Sequence, residues 1–317
     1  MPSYPRLIPL VSALALTGAA TAQPVETGAF KLEPDGNLSA MLDCFEASGK
    51  TLISAHRGGP SAGLPENGIE TMDAFLAASP AVMEVDVVRS ADGVHYLMHD
   101  RTLDRTTTGS GNASEANWPD VRELNLVDEA GWVTPYKVPS LEAALEWADG
   151  KTVLQLDFKR SADYAEVIEM VRDKNMASSV ILIAYSVDQA TRLHSLAPEM
   201  LISFSVQSQG DLDEVIAAGV PADRIVAFTG TRLPRPDLYS ALDRQDVEVI
   251  FGSLGRSRNS LDNVIGRFGT DERYVELSRG GVDLLATDRG REAAIALGEA
   301  GRLPVAGECG VSRINGS

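Results

Sequence analysis

Short apolar runs alternate with amphipathic stretches along most of the chain. After residue 150, apolar runs lie at 152–158, 180–185, 200–206, 224–228, 247–251 and 283–287. Helical periodicity fills the intervals at 164–176, 187–196, 212–218, 237–244 and 261–279, and a last helix is predicted at 291–300. With two earlier strands that end at His56 and Val88, the pattern gives eight strand–helix units. This favours the α/β class and a closed (β/α)8 TIM barrel over an open doubly wound sheet.

A hairpin is predicted directly after the second strand. The turn signal Asp92-Gly93 separates the strand at 82–88 from another extended run at 94–98, which leads to His99. His95 is expected to be an exposed residue of this hairpin. Residues 101–138 are rich in turn signals and lack a long period, so they are interpreted as an insertion over the mouth of the barrel.

Two carboxylates share one face of the second predicted strand. Glu84 and Asp86 are two residues apart, so they point to the same side, while Val85 and Val87 point to the other. Neighbouring carboxylates on a hydrophobic strand are costly unless a cation compensates them. The pattern therefore indicates a metal site.

Several short motifs follow one another between residues 56 and 107. They are His56-Arg57-Gly58, Pro65-Glu66-Asn67, Glu84-Val85-Asp86, Asp92-Gly93, His99-Asp100 and Leu103-Asp104-Arg105-Thr106-Thr107. In this order they resemble the signature of the glycerophosphodiester phosphodiesterase family, part of the phospholipase-C-like phosphodiesterase superfamily. The resemblance independently implies a TIM barrel with its site at the carboxyl ends of the strands.

The resemblance also implies a set of metal ligands. Residues 151–159 match a family strand that carries Glu-x-Lys, and Asp157 stands where the glutamate is usual. Glu84, Asp86 and Asp157 are then an all-oxygen ligand set, which suits one divalent cation, Mg²⁺ or Ca²⁺. The alternative is that these carboxylates pair with Lys159 or Arg57 instead.

Two histidines are the candidates for acid–base catalysis. His56 and His99 titrate near neutral pH, although either could be a buried, hydrogen-bonded side chain. Arg57 and Lys159 are expected to bind the substrate phosphate; the alternatives are a surface salt bridge for Arg57 and a counter-ion role beside Asp157 for Lys159.

Other motif residues have weaker expected roles. Glu66 and Asn67 are possible metal ligands or supports behind the ligands, and Asn67 could equally cap a helix. Asp288 is interpreted as structural. Where the family often has a tryptophan near the substrate, Phe251 is the nearest aromatic residue.

Charge and the chain's N-terminal composition bear on partners and location. The net charge is -17 with a pI of about 4.6, which argues against a nucleic-acid partner.

Residues 1–22 have the basic start, apolar run and Ala20-Thr21-Ala22 site of a signal peptide, so export to the periplasm or medium is expected. Residues 23–50 are then a linker with a short helix, and 51–317 are the barrel. No further stretch is long enough for membrane insertion after cleavage.

The two cysteines, Cys44 and Cys309, precede the first barrel strand and follow the last helix. A closed barrel brings these ends together, so the cysteines are expected to lie close in space. They are then either a disulfide or two buried free thiols. The oligomeric state is not determined by the sequence.

The motifs together favour an exported, metal-dependent phosphodiesterase that hydrolyses small glycerophosphodiesters to glycerol 3-phosphate and an alcohol. One alternative is a phospholipase that acts on lysolipids or phosphoinositides, for which Trp118 and Trp132 in the insertion are the only hints. The other is a non-catalytic periplasmic protein that binds phosphate esters. The sequence leaves open the alcohol, the metal and the nucleophile.

Overall fold

The computed structural model describes residues 28–314. The predicted signal peptide and the expected mature start at Gln23 lie outside these residues. In chain order, the strands are β1 (Phe30–Leu32), β2 (Leu52–Ala55), β3 (Ala81–Arg89), β4 (His95–Leu97), β5 (Asn125–Val127), β6 (Val133–Lys137), β7 (Leu154–Phe158), β8 (Val180–Ala184), β9 (Leu201–Ser205), β10 (Ile225–Phe228), β11 (Val249–Gly252), β12 (Leu284–Thr287) and β13 (Val311–Arg313).

Helices fill the connections between the strands. They are α1 (Leu38–Ala47), α2 (Ile69–Leu76), α3 (Trp118–Val121), α4 (Leu141–Ala148), α5 (Tyr164–Asp173), α6 (Val187–Leu196), α7 (Gln209–Ala217), α8 (Pro236–Asp243), α9 (Leu261–Phe268), α10 (Glu272–Arg279) and α11 (Gly290–Glu299). Among residues 28–314, no helix is long and apolar enough to cross a membrane.

Eight parallel strands close into a barrel. Their order is β2-β12-β11-β10-β9-β8-β7-β3, and β3 pairs back onto β2 through Ile53 opposite Ala81. At least one helix follows each of these strands before the next one begins. The predicted TIM barrel is therefore confirmed, and the open sheet is wrong, because an open sheet would leave β2 and β3 unpaired at its edges.

Two details of the sequence pattern are corrected. The single helix predicted at 261–279 is divided into α9 and α10, because Gly269 ends α9 with a left-handed φ of 61°. The hairpin of β3 and β4 forms as predicted, but His95 is buried rather than exposed. Its Nε2 accepts a hydrogen bond from the backbone N–H of Asp163 at 3.1 Å, so its role is to fix the loop after β7.

Successive residues of β3 alternate between two environments. Met83, Val85 and Val87 face outward into the apolar layer between strands and helices, whereas Val82 faces inward with the side chains that pack on α1. Glu84 and Asp86 follow on the inner side, closer to the carboxyl end of the strand. The inside of the barrel is thus apolar towards its amino-terminal end and acidic towards its mouth.

The amino-terminal end of the barrel is closed by the two ends of the described chain. α1 packs its buried residues Leu42 and Phe45 against the inner strand residues, and β1 pairs antiparallel with β13. Cys44 and Cys309 are joined in a disulfide with their Cα atoms 5.7 Å apart. The predicted proximity of the cysteines is confirmed, and the alternative of two free thiols is wrong.

The insertion forms a small unit over one side of the mouth. β5 and β6 pair as an antiparallel hairpin, and a separate apolar cluster lies beneath them. Trp118 packs against Tyr96 with 5.8 Å between ring centroids, whereas Trp132 is 73% exposed at the hairpin turn. Of the two tryptophans that hinted at a lipid substrate, Trp132 is therefore exposed and Trp118 is partly buried.

The disulfide is expected to stabilise the barrel measurably. It links residues 265 positions apart, so its loss frees a long segment of the unfolded chain. The Cys44→Ser/Cys309→Ser double variant should lose about 2–5 kcal/mol in the free energy of unfolding, measured by urea denaturation. Wild-type protein in reductant is the matched comparison and should show a similar loss; equal stability of all three samples would contradict the prediction.

Candidate active site

A left-handed turn at the end of β2 places the first motif in the mouth. Arg57 has a φ of 55° and Gly58 a φ of 80°. A side chain at Gly58 would also place its Cβ 2.6 Å from Cγ of Met72, so only glycine fits there. The turn directs the backbone N–H of Arg57 to Oε2 of Glu84 at 2.8 Å, which joins the His56 loop to the acidic strand.

Strand register brings the three predicted ligands together. Glu84 and Asp86 lie on the inner face of β3, and Asp86 stands opposite Asp157 on the neighbouring strand β7. All three side chains are buried, and one oxygen atom from each lies within 4.8 Å of the others. The carboxylates that the sequence assigned to a metal therefore converge at one point.

Lys159 is the nearest cation to this cluster. Its Nζ lies 2.6 Å from Oδ1 of Asp86 and also donates a hydrogen bond to Oδ2 of Asp157, so the counter-ion role considered for Lys159 is present in the structure. Burial alone would raise the pKa of Asp86, but the charge of Lys159 and the hydrogen bond from Asn67 hold it below its ordinary value. Burial and the charge of Asp86 raise the pKa of Glu84 to about 8.

The same cluster fits a hard divalent cation. Lys159 and Arg57, which also pairs with Glu66, do not balance three buried carboxylates, and Oδ1 of Asp157 is buried without a hydrogen-bond partner among residues 28–314. Burial, and then the charges of Asp86 and Asp157, raise the pKa of Glu84. Three oxygen donors with unmet negative charge match the ligands that Mg²⁺ and Ca²⁺ prefer.

His56 is held in place by the carboxylate of Asp288, a residue for which the sequence predicts only a structural role. Its Nδ1 lies 2.5 Å from Oδ1 of Asp288, which follows β12. A carboxylate only accepts, so Nδ1 carries a proton, and Nε2 is placed 4.0 Å from Oε2 of Glu84. Burial lowers the pKa of His56, but Asp288 and the charge of Glu84 outweigh it, and the pKa lies above its ordinary value. Asp288 is therefore part of the site.

His99 has a carboxylate partner of its own. Its Nδ1 lies 2.8 Å from Oδ1 of Asp100, and Oδ2 of Asp100 accepts from Nε of Arg105 at 2.5 Å. Burial lowers the pKa of His99, and the nearby charges of Asp86 and Asp100 do not fully reverse this shift. Each histidine thus has its own carboxylate partner on Nδ1, but the pKa of His56 is raised whereas the pKa of His99 is lowered.

The remaining motif residues form a support behind the ligands. Glu66 accepts hydrogen bonds from Arg57 and, through both of its oxygens, from Arg105, so its carboxylate is already compensated. Asn67 donates to Oδ2 of Asp86 at 2.7 Å and accepts from the Asp86 backbone N–H. The structure therefore places Glu66 and Asn67 behind the cluster, and Gly68 rather than Asn67 is the cap of α2.

Arg57 is buried, so the expected alternative of a surface salt bridge is wrong. Its Nη1 donates to Glu66, and its Nε lies 3.8 Å from Oδ2 of Asp86. The guanidinium group is thus fixed beside the carboxylate cluster. This position is compatible with the predicted phosphate contact.

An apolar cavity of about 120 Å³ adjoins His56, Glu84 and Asp157. Its opposite wall consists of Ile183, Tyr185, Phe228, Leu254 and other uncharged residues on β8 to β12. Phe251, which the sequence favoured as the nearest aromatic residue, instead faces outward into the layer beneath the helices. Tyr185 and Phe228 are the aromatic residues that line this cavity.

The carboxylate cluster should bind one divalent cation in solution. Calorimetric titration with Mg²⁺ and with Ca²⁺ should show a single site, and Asp86→Asn should weaken it by at least about tenfold because one ligand charge is lost. Glu142→Gln, an exposed change on α4, is the matched control and should bind as the wild type does. Equal binding by Asp86→Asn would place the cation elsewhere.

Comparisons with known proteins agree with this geometry. The model of the glycerophosphoryl diester phosphodiesterase family matches residues 56–218. Glycerophosphodiester phosphodiesterase 1 of Mus musculus is 28% identical over 71% of this chain and 64% of its own length. The chain thus spans just under two thirds of this relative.

Solved structures extend the comparison to nearly the whole fold. A glycerophosphoryl diester phosphodiesterase from Parabacteroides distasonis is 27% identical with a TM-score of 0.77, over 90% of this chain and all of that one. An Oleispira antarctica phosphodiesterase, solved in complex with the product sn-glycerol-3-phosphate, shares the fold at 17% identity and a TM-score of 0.61, over 80% of this chain and 98% of that one. The chain belongs to the glycerophosphoryl diester phosphodiesterase family.

Proposed function

We propose that this protein is a metal-dependent phosphodiesterase that hydrolyses glycerophosphodiesters to glycerol 3-phosphate and an alcohol. The observation that carries the proposal is the convergence of three buried carboxylates with two histidines, each of which has a carboxylate on Nδ1. Family membership and the named activity of the mouse relative support it. A non-catalytic binding protein would not need both histidines to be oriented in this way.

The positive groups of the site are suited to a phosphodiester anion. A divalent cation on Glu84, Asp86 and Asp157 would polarise a phosphoryl oxygen and offset the charge that develops in the transition state. Arg57 and Lys159 lie beside the same cluster and would contact the remaining phosphate oxygens. Oxygen ligands select hard divalent cations as a class, and both Mg²⁺ and Ca²⁺ belong to that class.

The histidines divide the proton transfers between them. His56, whose imidazolium form Asp288 stabilises, would donate a proton from Nε2 to the leaving alkoxide. His99, held through Nδ1 by Asp100, would accept the proton of the nucleophile at Nε2. Asp288 and Asp100 act through the histidines, since each fixes the tautomer and the orientation of its ring.

Two nucleophiles are compatible with these roles. Water could attack phosphorus directly and expel the alcohol. Alternatively, the neighbouring glycerol hydroxyl could attack, expel the alcohol and form a cyclic phosphate, which water then opens. We favour the internal hydroxyl, because the resemblance to the phospholipase-C-like superfamily implies this route, which its lipase members favour.

A phospholipase that acts on lysolipids is the second candidate. The apolar cavity beside His56 and the exposed Trp132 favour it, because both could contact hydrocarbon.

Export also belongs to the proposal and depends on residues 1–22. The amino-terminal sequence of secreted protein, expected to begin near Gln23, tests it.

A panel of substrates should separate these functions. Glycerophosphocholine, glycerophosphoethanolamine and glycerophosphoinositol should release glycerol 3-phosphate in the presence of Mg²⁺ or Ca²⁺, as measured by a coupled assay. Excess chelator should abolish release, and added cation should restore it. Cleavage of lysophosphatidylcholine alone would favour the phospholipase, and no release from any substrate would contradict the proposed reaction.

Variants of the histidines and of Asp288 should test the mechanism. His56→Ala and His99→Ala should each lower kcat by about 10²–10⁴-fold, because each removes one proton transfer. Asp288→Asn should also lower kcat while divalent-cation binding stays intact, since Asp288 contacts His56 and not the cluster. Near wild-type kcat in either histidine variant would remove that residue from the chemistry. Full turnover of a substrate without the 2-hydroxyl would leave water as the nucleophile.

A further inference from the structure

A second, larger cavity lies beside His99 and Lys159. Its volume is about 530 Å³, within the range of small-molecule sites. It is lined by Val88, His99, Asp100, Arg101, Asn112, Ala113, Ser114, Lys159, Arg160 and Ser161. Because Lys159 forms part of its wall and contacts Asp86 and Asp157, the cavity adjoins the carboxylate cluster. We refer to this cavity as the basic groove.

The charges of the basic groove are unbalanced. Its carboxylate, Asp100, is already taken by His99 and Arg105. Lys159 pairs with Asp86 and Asp157. Arg101 and Arg160 are exposed, and their guanidinium groups form neither an ion pair nor a hydrogen bond with any residue in the described range 28–314. The basic groove thus contains two arginines without acidic partners, in a chain with a net charge of -17.

The backbone that carries these arginines is fixed on both sides. The carbonyl of Arg101 accepts a hydrogen bond from the Ala113 N–H at 2.9 Å, and the Ala113 carbonyl accepts from the hydroxyl of Tyr96. Arg160 follows Lys159, whose N–H donates to the Val87 carbonyl at 2.9 Å. Both arginines therefore start from anchored positions next to site residues, and only their side chains need to move towards a ligand.

A third guanidinium group lies close to a residue that lines the basic groove. Arg256 lies in the loop after β11, and its Nη2 is 3.6 Å from Oδ1 of Asp100. The preceding Gly255 donates its N–H to Oδ2 of Asp288, so this loop is attached to the partner of His56. Arg256 thus adds positive charge next to the basic groove.

We propose that the basic groove is a subsite for a second anionic group of the substrate, a phosphomonoester or carboxylate that is separate from the phosphodiester. The inference rests on the proposed phosphodiesterase function and specifies its substrate class. Arg101 and Arg160 pair with the second anion, while the phosphodiester stays at the carboxylate cluster. Guanidinium groups suit this task because they bind phosphate and carboxylate oxygens in a fork. Substrates whose only anion is the phosphodiester leave both arginines unpaired.

Two substrates that differ by one phosphate provide the test. Wild-type protein should show a kcat/KM for glycerophosphoinositol 4-phosphate about 25-fold above that for glycerophosphoinositol, or about fivefold for each arginine, as expected for a charge pair near 4 Å in water. Arg101→Gln and Arg160→Gln should each reduce this ratio by about fivefold. Added salt should reduce it too, because the arginines are exposed. Arg244→Gln, an exposed change at the end of α8, is the matched control and should leave the ratio unchanged.

A binding measurement separates failure of the subsite from failure of the proposed reaction. If neither substrate is turned over, the reaction is wrong, and calorimetric binding of glycerophosphoinositol 4-phosphate to wild-type protein and to the Arg101→Gln/Arg160→Gln variant still decides the subsite. Weaker binding by the variant supports it. Equal kcat/KM for the two substrates, or equal binding by the two proteins, would overturn it. Arginine-dependent capture of vesicles that contain phosphatidylinositol 4-phosphate, without any preference among the soluble substrates, would also overturn it, because the anion would then be a lipid headgroup.

Discussion

Three buried carboxylates on two adjacent strands are the constraint on which the rest of this site depends. Glu84, Asp86 and Asp157 cannot share one small volume unless positive charge is brought to them. Lys159 and Arg57 supply part of it, and Asn67 and the Arg57 backbone add hydrogen bonds to the carboxylates. The remaining negative charge makes the cluster a candidate site for a divalent cation. Burial, and then the charge of Asp86, raises the pKa of Glu84.

The barrel places two differently built cavities next to that cluster. The cavity beside His56 is apolar and small, whereas the cavity beside His99 is basic and larger. The insertion contributes to this difference, because Arg101 lies at its start and Arg105 holds Asp100 beside His99. The loop after β11 contacts the carboxylate partners of both histidines, Asp288 and Asp100.

Most of the site could be predicted because its residues are grouped in short motifs. Glu84 and Asp86 share a face through strand periodicity alone, and His56 and His99 each end an extended run. The errors have a common cause. The contact of Asp288 with His56 could not be predicted because the two residues are 232 positions apart, and the burial of His95 was missed because Asp163, its hydrogen-bond partner, is 68 positions away. Phe251 was misjudged because strand phase, which decides between the interior and the helix layer, is not visible in a short, wholly apolar strand.

The sequence by itself determined the number of strand–helix units, the acidic inner face of β3 and the identities of the metal-ligand candidates, because these follow from local periodicity and from motif order. The tertiary structure alone decided how barrel closure pairs the strands. Closure puts Asp86 opposite Asp157, Asp288 beside His56, and Cys44 within bonding distance of Cys309. It also decided which charges stay unpaired at Arg101 and Arg160. Charge balance depends on distances between residues far apart in the chain, and local sequence patterns do not encode those distances.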